Sequence, residues 1–378
     1  MLGQLAPAKA GPDHGGWSWA DVPGNYWAKR AVDLVAHKNS WMEDYGSTHF
    51  RPNTLETRKY LAHAMVLAWA PNELPDPLIT FKDLAPTDPF WRYANVAVKN
   101  HWIPRIKGAF LPDQPVTMTD VHKAIVEMLG LQDVAVGIDH FHTTNGYVFK
   151  HYRAMGDVLI GMLLGLRFNH SNDSLDVHPR EALPRSEVAW SIYQAYLVQT
   201  QYNWKIGSIR SDGYKNLHVG RVTPAIRKMI EFGLRYVGYP YIYAAEWGSR
   251  TPPGYCCGAQ TTGGFDCSGL TWWLMKSPSG GWNNAKMRGY WGWPLPQRSS
   301  MDMAAAGRRI PFKQAHPGDL MLFNSGGGSI DHVDVYLGYG WAFDSSDGVG
   351  GVTVLHVGNG WYRDHFVFAH RIIRPPSK

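Results

Sequence analysis

The sequence has few cysteines, no long apolar run and no concentrated block of charge. Three cysteines among 378 residues are an odd number and too few for a disulfide framework. No stretch approaches the roughly 18 consecutive apolar residues of a membrane-spanning helix. The formal net charge is +6, but the basic residues form no run. This pattern indicates weak attraction to anionic polymers and argues against a nucleic-acid-binding protein.

Several motifs of cofactor-dependent proteins are missing as well. The sequence contains no Gly-rich strand-to-helix segment of the phosphate-binding type. Its histidines lack the spacing with thiols or carboxylates that is typical of metal sites. The oxygen-rich segment 172–176 lacks the glycine and the terminal glutamate of an EF-hand. We therefore predict that the protein needs neither a metal nor an organic cofactor.

One of the cysteines, Cys267, lies in a context that favours chemistry. It follows closely on a glycine pair, and Leu270, Trp273 and Leu274 after it have the i, i+3, i+4 spacing of a buried helix face. Cys267 is therefore predicted at a helix N-terminus, where free N–H groups and the helix dipole stabilise a thiolate. Nucleophilic catalysis requires a thiolate, although position alone leaves open a small buried apolar residue.

A predicted β-hairpin downstream offers a base and a carboxylate. The stretches on both sides of Gly338-Tyr339-Gly340 alternate in the way that hairpin strands do. Centring the loop on Gly338 places His332 opposite Asp344, on one face of the sheet and about 5 Å apart. With Cys267 these residues form the set of nucleophile, base and orienting group.

These residues, and the order of the motifs around them, resemble the NlpC-type cysteine peptidases of bacterial cell walls. The resemblance covers residues 223–378. Its elements occur in the family order: an amphipathic helix over 225–237, Gly238-Tyr239-Pro240-Tyr241, Phe265-Asp266-Cys267-Ser268-Gly269-Leu270, Leu295-Pro296, Pro317-Gly318-Asp319-Leu320 and the hairpin of His332. The resemblance implies an α+β papain-like domain in which the Cys267 helix packs on an antiparallel sheet.

The family also implies roles for individual residues. Cys267 would be the nucleophile and His332 the general base. Asp344 would be the polar third member, where the family more often has His, Asn or Gln.

Three further residues match family positions beside the nucleophile. Tyr241, Asp266 and Ser268 are the candidates for substrate or oxyanion contacts, with packing on the core as the alternative for Tyr241 and helix capping as the alternative for the other two. The segment between Tyr241 and Cys267 is unusually long and contains Cys256-Cys257. It is either a flap with a redox-sensitive or metal-sensitive thiol pair or a surface loop.

The resemblance implies a substrate and a location. The substrate would be the peptidoglycan stem peptide, cut between D-glutamate and the diamino acid. Two alternatives stay open: an amidase or acyltransferase with the same triad, and a non-catalytic wall-binding protein with a vestigial site. The first residues lack the basic and apolar regions of a signal peptide, whereas the family implies a secreted, cell-wall-associated protein. We therefore expect that a leader has been trimmed from this sequence.

The first half of the sequence contains an internal repeat. Trp27 and Pro52 recur as Trp91 and Pro112, each time within a unit of helix, Pro-containing loop and helix, and a fainter third unit follows. The units resemble S-layer homology domains, which anchor proteins to cell-wall polysaccharide. The predicted boundaries are 15–75, 76–135 and 136–200 for three all-α repeats, 201–222 for an irregular linker and 223–378 for the peptidase domain.

The S-layer resemblance implies an anionic secondary cell-wall polysaccharide as a partner. In that family a Thr-Arg pair at the start of the second helix of a unit helps to grip the polysaccharide. Thr57-Arg58 keeps the pair, and we align Met118-Thr119 and Pro184-Arg185 with it in the other two units. Trp27 and Arg58 are the candidates for polysaccharide binding. The alternative is that the units are a packing scaffold that positions the peptidase.

Overall fold

The computed structural model describes residues 19–42, 48–248, 253–254, 258–259, 263–276, 295 and 297–373. The predicted thiol pair Cys256-Cys257 lies outside the described residues. Within the described part of the chain, no helix combines the length and the apolar character needed to cross a bilayer.

The N-terminal region is helical. Its helices are α1 (Lys29–Val32), which continues as π-helical turns at Asp33–Lys38, α2 (Arg58–Trp69), α3 (Trp91–Lys99), α4 (Met118–Met128), α5 (Gln132–Asp139), α6 (Met155–Leu164), α7 (Arg185–Thr200) and α8 (Trp204–Ser211). Two short strands, β1 (His142–Thr143) and β2 (His218–Val219), pair in parallel.

The C-terminal part combines helices with antiparallel strands. It contains α9 (Pro224–Leu234), β3 (Glu246–Trp247), β4 (Pro253–Gly254), β5 (Gly258–Ala259), β6 (Gly264–Phe265), α10 (Cys267–Lys276), α11 (Ser300–Met303), β7 (Arg308–Ile310), β8 (Leu320–Phe323), β9 (His332–Gly338), β10 (Trp341–Ser346), β11 (Gly351–His356), α12 (Gly360–His365) and β12 (Phe366–Arg371). Six of the strands form one sheet in the order β11-β10-β9-β8-β12-β7. The predicted α+β architecture with an antiparallel sheet is confirmed.

Helix α10 packs on strands β9 and β10 of this sheet. The predicted buried face is confirmed, because Leu270, Trp273 and Leu274 are 1%, 5% and 0% exposed. Trp272 and Met275 are buried too, so the helix is enclosed on nearly all sides. Such a helix holds its first residue in a fixed position relative to the strands.

Three segments of the N-terminal region meet in a closed ring of backbone hydrogen bonds. Glu56 N–H donates to Leu183 O at 2.9 Å, Val116 N–H donates to Glu56 O at 2.9 Å, and Leu183 N–H donates to Val116 O at 2.8 Å. Each segment leads directly into a helix, α2, α4 or α7. The ring joins parts of the chain that lie far apart in the sequence.

This ring corrects the predicted alignment of the units. Because α2 begins at Arg58 and α4 begins at Met118, Thr57-Arg58 corresponds to Thr117-Met118. The predicted match with Met118-Thr119 is wrong by one residue. Thr117 caps α4 with its side chain, which accepts from Asp120 N–H, and this local bond sets where the helix begins.

The segment 201–222, predicted as a linker because its sequence has no sustained periodicity, contains regular structure. Helix α8 lies within it, followed by a 3-10 turn at Tyr214–Asn216 and by strand β2. The sequence of α8 includes Gly207 and two serines, which are weak helix formers. The helix packs on α6 and α7, and such tertiary packing outweighs the low intrinsic propensity.

The helical region and the α+β part are in direct contact. The buried Tyr214 ring packs on Trp341 of β10, with ring centroids 4.9 Å apart. Tyr152 donates its hydroxyl hydrogen to Val237 O at 2.7 Å. The guanidinium of Arg167 donates from Nε to Gly350 O at 3.1 Å. These contacts fix the helices against the sheet that carries the candidate site.

Candidate active site

Cys267 is the first residue of α10, as predicted, and its side chain is partly exposed. Asp266 before it caps the helix: Gly269 N–H donates to Asp266 Oδ1 at 2.5 Å. Ser268 also donates to this oxygen, at 3.0 Å. Asp266 therefore satisfies one of the free N–H groups of the first turn and leaves others available.

Arg298 contacts the residues on both sides of Cys267 at the start of α10. The sequence did not predict this residue as part of the site. Its Nε lies 2.7 Å from Glu246 Oε2, and its Nη1 lies 3.2 Å from Asp266 Oδ1 and 2.7 Å from Ser268 Oγ. Glu246 is fully buried, while Asp266 and Ser268 are 8% and 5% exposed. Because Arg298 engages both neighbours of Cys267, their side chains serve as scaffold around the thiol.

The hairpin of His332 has a different register from the predicted one. The turn consists of Tyr339 and Gly340, both with positive φ (53° and 85°), which is the two-residue turn that matches strand twist. The turn pairs Trp341 with Gly338, and a β-bulge between Trp341 and Ala342 then shifts the register so that Phe343 pairs with Val335. Direct opposition of His332 and Asp344 is therefore wrong by two residues, but a shift of two keeps both side chains on the same face.

His332 lies between two buried carboxylates. Its Nε2 atom is 2.9 Å from Asp344 Oδ1 and 3.0 Å from Asp334 Oδ1. Both aspartates are fully buried, whereas the His332 side chain is 13% exposed. These are ion-pair contacts, since neither has the directional geometry of a hydrogen bond. The structure thus brings His332 and Asp344 together and adds Asp334, which the sequence analysis missed.

The charges of this cluster shift its protonation. Burial disfavours the imidazolium, but Asp334, Cys267 and Asp344 outweigh this effect and raise the pKa of His332 well above its usual range. Burial raises the pKa of Asp334 to about 7, opposed by His332 and reinforced by Asp344. Near neutral pH the imidazole is therefore charged, and Asp334 is protonated in part of the molecules.

Aromatic side chains form the walls of the site. Burial, with the negative fields of Cys267 and Asp266, raises the pKa of Tyr241 above its usual range, so the hydroxyl keeps its proton. The rings of Trp361 and Tyr362 lie 6.0 Å and 6.1 Å from the His332 ring. Both also line a pocket of about 220 Å³ between α8 and α12. No motif in the sequence pointed to this pair, because α12 reaches the site only through the fold of the sheet.

The two residues predicted to bind polysaccharide lie in different places. Arg58 is 3% exposed and donates to Phe110 O and Pro104 O, both at 2.6 Å. It borders a groove of about 600 Å³ in the N-terminal region. Trp27 packs instead against the rings of Phe168 and His170, with centroids 4.6 Å and 4.5 Å away. The structure does not bring Trp27 and Arg58 together.

Comparison with known proteins identifies the α+β part. Residues 246–371 match the model of the NlpC/P60 family. The C-terminal part of this chain is an NlpC/P60 domain. The predicted resemblance is confirmed for these residues. The comparisons provide no support for S-layer homology repeats in the N-terminal region, so that resemblance stays a prediction.

The curated relatives of the NlpC/P60 domain are distant. The bifunctional muramidase/DL-endopeptidase CwlT of Bacillus subtilis is 33% identical over 141 residues, which are 37% of this chain and 34% of CwlT. The peptidoglycan endopeptidase RipB of Mycobacterium tuberculosis is 33% identical over 134 residues, which are 35% of this chain and 49% of RipB. The chain thus spans between a third and a half of the length of these relatives.

Solved structures of the family include both active and inactive members. The peptidoglycan hydrolase RipB of M. tuberculosis is 30% identical, with 48% of this chain and 86% of that chain covered and a TM-score of 0.28. RipD of the same organism, a non-catalytic NlpC/P60 domain protein adapted to peptidoglycan binding, is 25% identical, with 40% and 100% covered and a TM-score of 0.29. The TM-scores are low, so the family assignment rests on the sequence match.

Proposed function

We propose that the protein is a peptidoglycan hydrolase, a cysteine endopeptidase that cuts stem peptides. One observation carries the proposal: the partly exposed Cys267 begins a buried helix beside His332, which two buried carboxylates hold in place. A thiol, an imidazole and an orienting acid are the groups that acyl transfer by a cysteine nucleophile requires.

The mechanism follows from these positions. The Cys267 thiolate attacks the peptide carbonyl carbon, and free N–H groups at the start of α10 donate to the oxyanion. The Nε2 atom of His332 faces the two carboxylates, so the imidazolium gives its Nδ1 proton to the leaving amine, and the C–N bond breaks. Neutral His332 then takes a proton from water, whose hydroxide releases the acyl group from sulfur. Asp344 and Asp334 orient the ring and stabilise its charged form, and the chemistry uses no metal or organic cofactor.

The substrate within this proposal is the stem peptide, cut between D-glutamate and the diamino acid. The relative CwlT carries a DL-endopeptidase activity, and this supports the choice of bond. A substrate in the wall requires a secreted, wall-associated enzyme. Tyr241, on the wall of the site next to Cys267, is the proposed substrate contact. Asp266 and Ser268 act indirectly, by fixing the helix start.

The test is mass spectrometry of stem peptides after incubation with the protein. New fragments that end in D-glutamate are expected from the wild type and none from Cys267→Ala. Met301→Ala, at a residue that is 61% exposed on α11, is the matched control and should cleave like the wild type. Cleavage by Cys267→Ala would refute the assigned nucleophile. Release of the stem peptide from the glycan, or acyl transfer to an amine, would indicate the amidase or the acyltransferase.

We also propose that the N-terminal region associates with an anionic wall polysaccharide. The groove beside Arg58 is bordered by cationic side chains: Arg105, Lys123, Arg153 and Arg180. Of these, Arg105 and Arg153 are exposed, whereas the hydrogen bonds of Arg58 go to backbone carbonyls. If the peptidase site proves inactive, this groove supports the alternative of a non-catalytic wall-binding protein. The proposed boundaries remain 15–75, 76–135 and 136–200 for the units, 201–222 for the connection and 223–378 for the peptidase.

Sedimentation with purified walls tests the groove. Retention of Arg105→Ala/Arg153→Ala should fall several-fold on walls that carry the anionic polymer and should not change on walls stripped of it. Arg363→Ala, at an exposed residue of α12, is the control. Equal retention of the wild type, Arg105→Ala/Arg153→Ala and Arg363→Ala would refute polysaccharide binding by the groove and leave a scaffold role for the region.

A further inference from the structure

His332, Asp334 and Asp344 have a geometry that the proposed peptidase reaction does not fully explain. Each residue presents one ligand atom, and the three atoms lie within 4.8 Å of one another. A cysteine peptidase needs one group to orient its histidine, and here two carboxylates approach the same Nε2 atom. The second carboxylate therefore requires its own physical account.

The atoms that face one another in this cluster have no hydrogen-bond partners. Both carboxylate oxygens of Asp334, Oδ1 of Asp344 and Nε2 of His332 are buried without one. The other oxygen of Asp344 accepts from Ser346 Oγ at 2.8 Å, which orients Oδ1 toward the cluster. Buried polar atoms are nearly always hydrogen-bonded, and in this group, which is held only by ion-pair contacts, a bound ion would supply the missing partner.

The chemical types of the three ligand atoms indicate which kind of ion they would bind. An imidazole nitrogen favours a transition-metal ion, and zinc also accepts carboxylate oxygens, whereas Mg²⁺ and Ca²⁺ take six or more oxygen ligands. Bound zinc places such ligand atoms about 2.0–2.2 Å from the metal, which fits atoms that are mutually within 4.8 Å. The partly exposed edges of His332 and Cys267 provide the way in.

We propose that a divalent transition-metal cation of the zinc type binds reversibly to His332, Asp334 and Asp344 and inhibits the peptidase. An ion on Nε2 takes the place of the proton that the two carboxylates stabilise there, and its positive charge lowers the pKa of Nδ1, so the ring can no longer hold the proton that the reaction transfers. The inhibition rests on the proposed peptidase function, whereas the binding does not depend on it. The site would let free zinc in the surroundings of the wall control hydrolysis.

Zinc titration of the metal-free full chain, with a chromophoric chelator as competitor, tests the binding. One equivalent of zinc is expected per chain, with affinity reduced about ten-fold or more in Asp334→Asn, because a ligand is lost. His142→Ala is the control for adventitious binding, since its ring stacks on His218 at 5.8 Å outside the site, and it should bind like the wild type. Unchanged affinity in Asp334→Asn, or loss in His142→Ala, would overturn the proposal.

Two further measurements test the identity of the zinc ligands and the inhibition of cleavage. If Asp334→Asn does not fold, X-ray absorption of the zinc-loaded wild type takes its place: one imidazole with oxygen ligands supports the site, and several imidazoles refute it. Stem-peptide cleavage by the wild type should fall as the single site fills and recover with chelator. Cleavage that persists at full occupancy would refute the inhibition. A protein that binds zinc but never cleaves would refute the peptidase and leave the metal site intact.

Discussion

Removal of Arg298 should destabilise the protein strongly, because this side chain is the cation between two buried carboxylates. The side chains of Glu246 and Asp266 are 0% and 11% exposed, and that of Arg298 is 10% exposed. In Arg298→Met the apolar length of the side chain is largely retained, while its charge and all its donors are lost. The two carboxylates would then face each other without a positive charge.

The magnitude follows from this burial. Breaking a buried ion pair by removing one partner costs about 3–5 kcal/mol, since a charge is left uncompensated in the interior. Asp266 retains its bonds from Gly269 and Ser268, which offset part of its share of the loss. A total in this range is a large fraction of the about 5–15 kcal/mol that stabilises a typical protein.

Urea unfolding followed by tryptophan fluorescence measures the effect. Arg363→Met is the matched control, because Arg363 pairs with Asp364 at an exposed position, with side chains 65% and 57% exposed, and exposed pairs contribute about 0–1 kcal/mol. In Arg298→Met/Glu246→Gln the uncompensated charge is gone, and stability should recover by about 0.5–3 kcal/mol relative to the single variant. A loss in Arg298→Met no larger than in Arg363→Met would refute the reasoning.

Three further predictions follow from local features. Burial raises the pKa of Asp157 from 3.8 to about 7, so the free energy of unfolding falls as pH rises from about 4 to 7, where the unfolded state loses this proton before the folded state does. In urea unfolding, Asp157→Asn should therefore become more stable relative to the wild type by up to about 1.4 kcal/mol per pH unit over that window. Parallel pH curves for the two proteins would contradict this. Gly269→Ala would place a methyl carbon 1.8 Å from a backbone carbonyl oxygen, so stability and stem-peptide cleavage should both fall. Gly207→Ala is the control: a methyl carbon there has nothing within 4 Å, and the free energy of unfolding should rise by about 0.5–1 kcal/mol. Equal effects of the two substitutions would refute the steric argument. Tyr214→Ala should lose about 3 kcal/mol in urea unfolding because a buried ring at the contact between the two parts of the chain is removed; a loss below about 1 kcal/mol would show that this contact contributes little.

Local sequence patterns were enough to locate Cys267, His332 and Asp344. The spacing of Leu270, Trp273 and Leu274 located the start of the helix at Cys267, and strand alternation placed His332 and Asp344 on one face. The same alternation contained the signal for Asp334, since residues two apart on a strand share a face. The register error came from two local features: a turn with a positive φ at the non-glycine Tyr339, which is uncommon, and a β-bulge between Trp341 and Ala342.

Other parts of the site depend on contacts that no local pattern carries. Arg298 contacts the start of α10 from 30 residues beyond Ser268 in the sequence, so neither its spacing nor its neighbours predict its role. Trp361 and Tyr362 belong to α12, in the connection that leads from the edge strand β11 to β12 on the far side of β8. Arg58 matched a family motif, yet the fold directs its guanidinium to backbone carbonyls. In each case tertiary packing decided the position of the side chain.

The ring formed by Glu56, Val116 and Leu183 has a consequence for how this protein can change in evolution. In an open array of units, each unit touches only its neighbours, so lineages can add or delete units at the ends. A closed ring has no end, and deletion of any one of the three segments that form it would leave a backbone N–H and a backbone carbonyl unmatched in the other two. Loss of one segment is therefore felt at all three, unlike loss of a terminal unit from an open array.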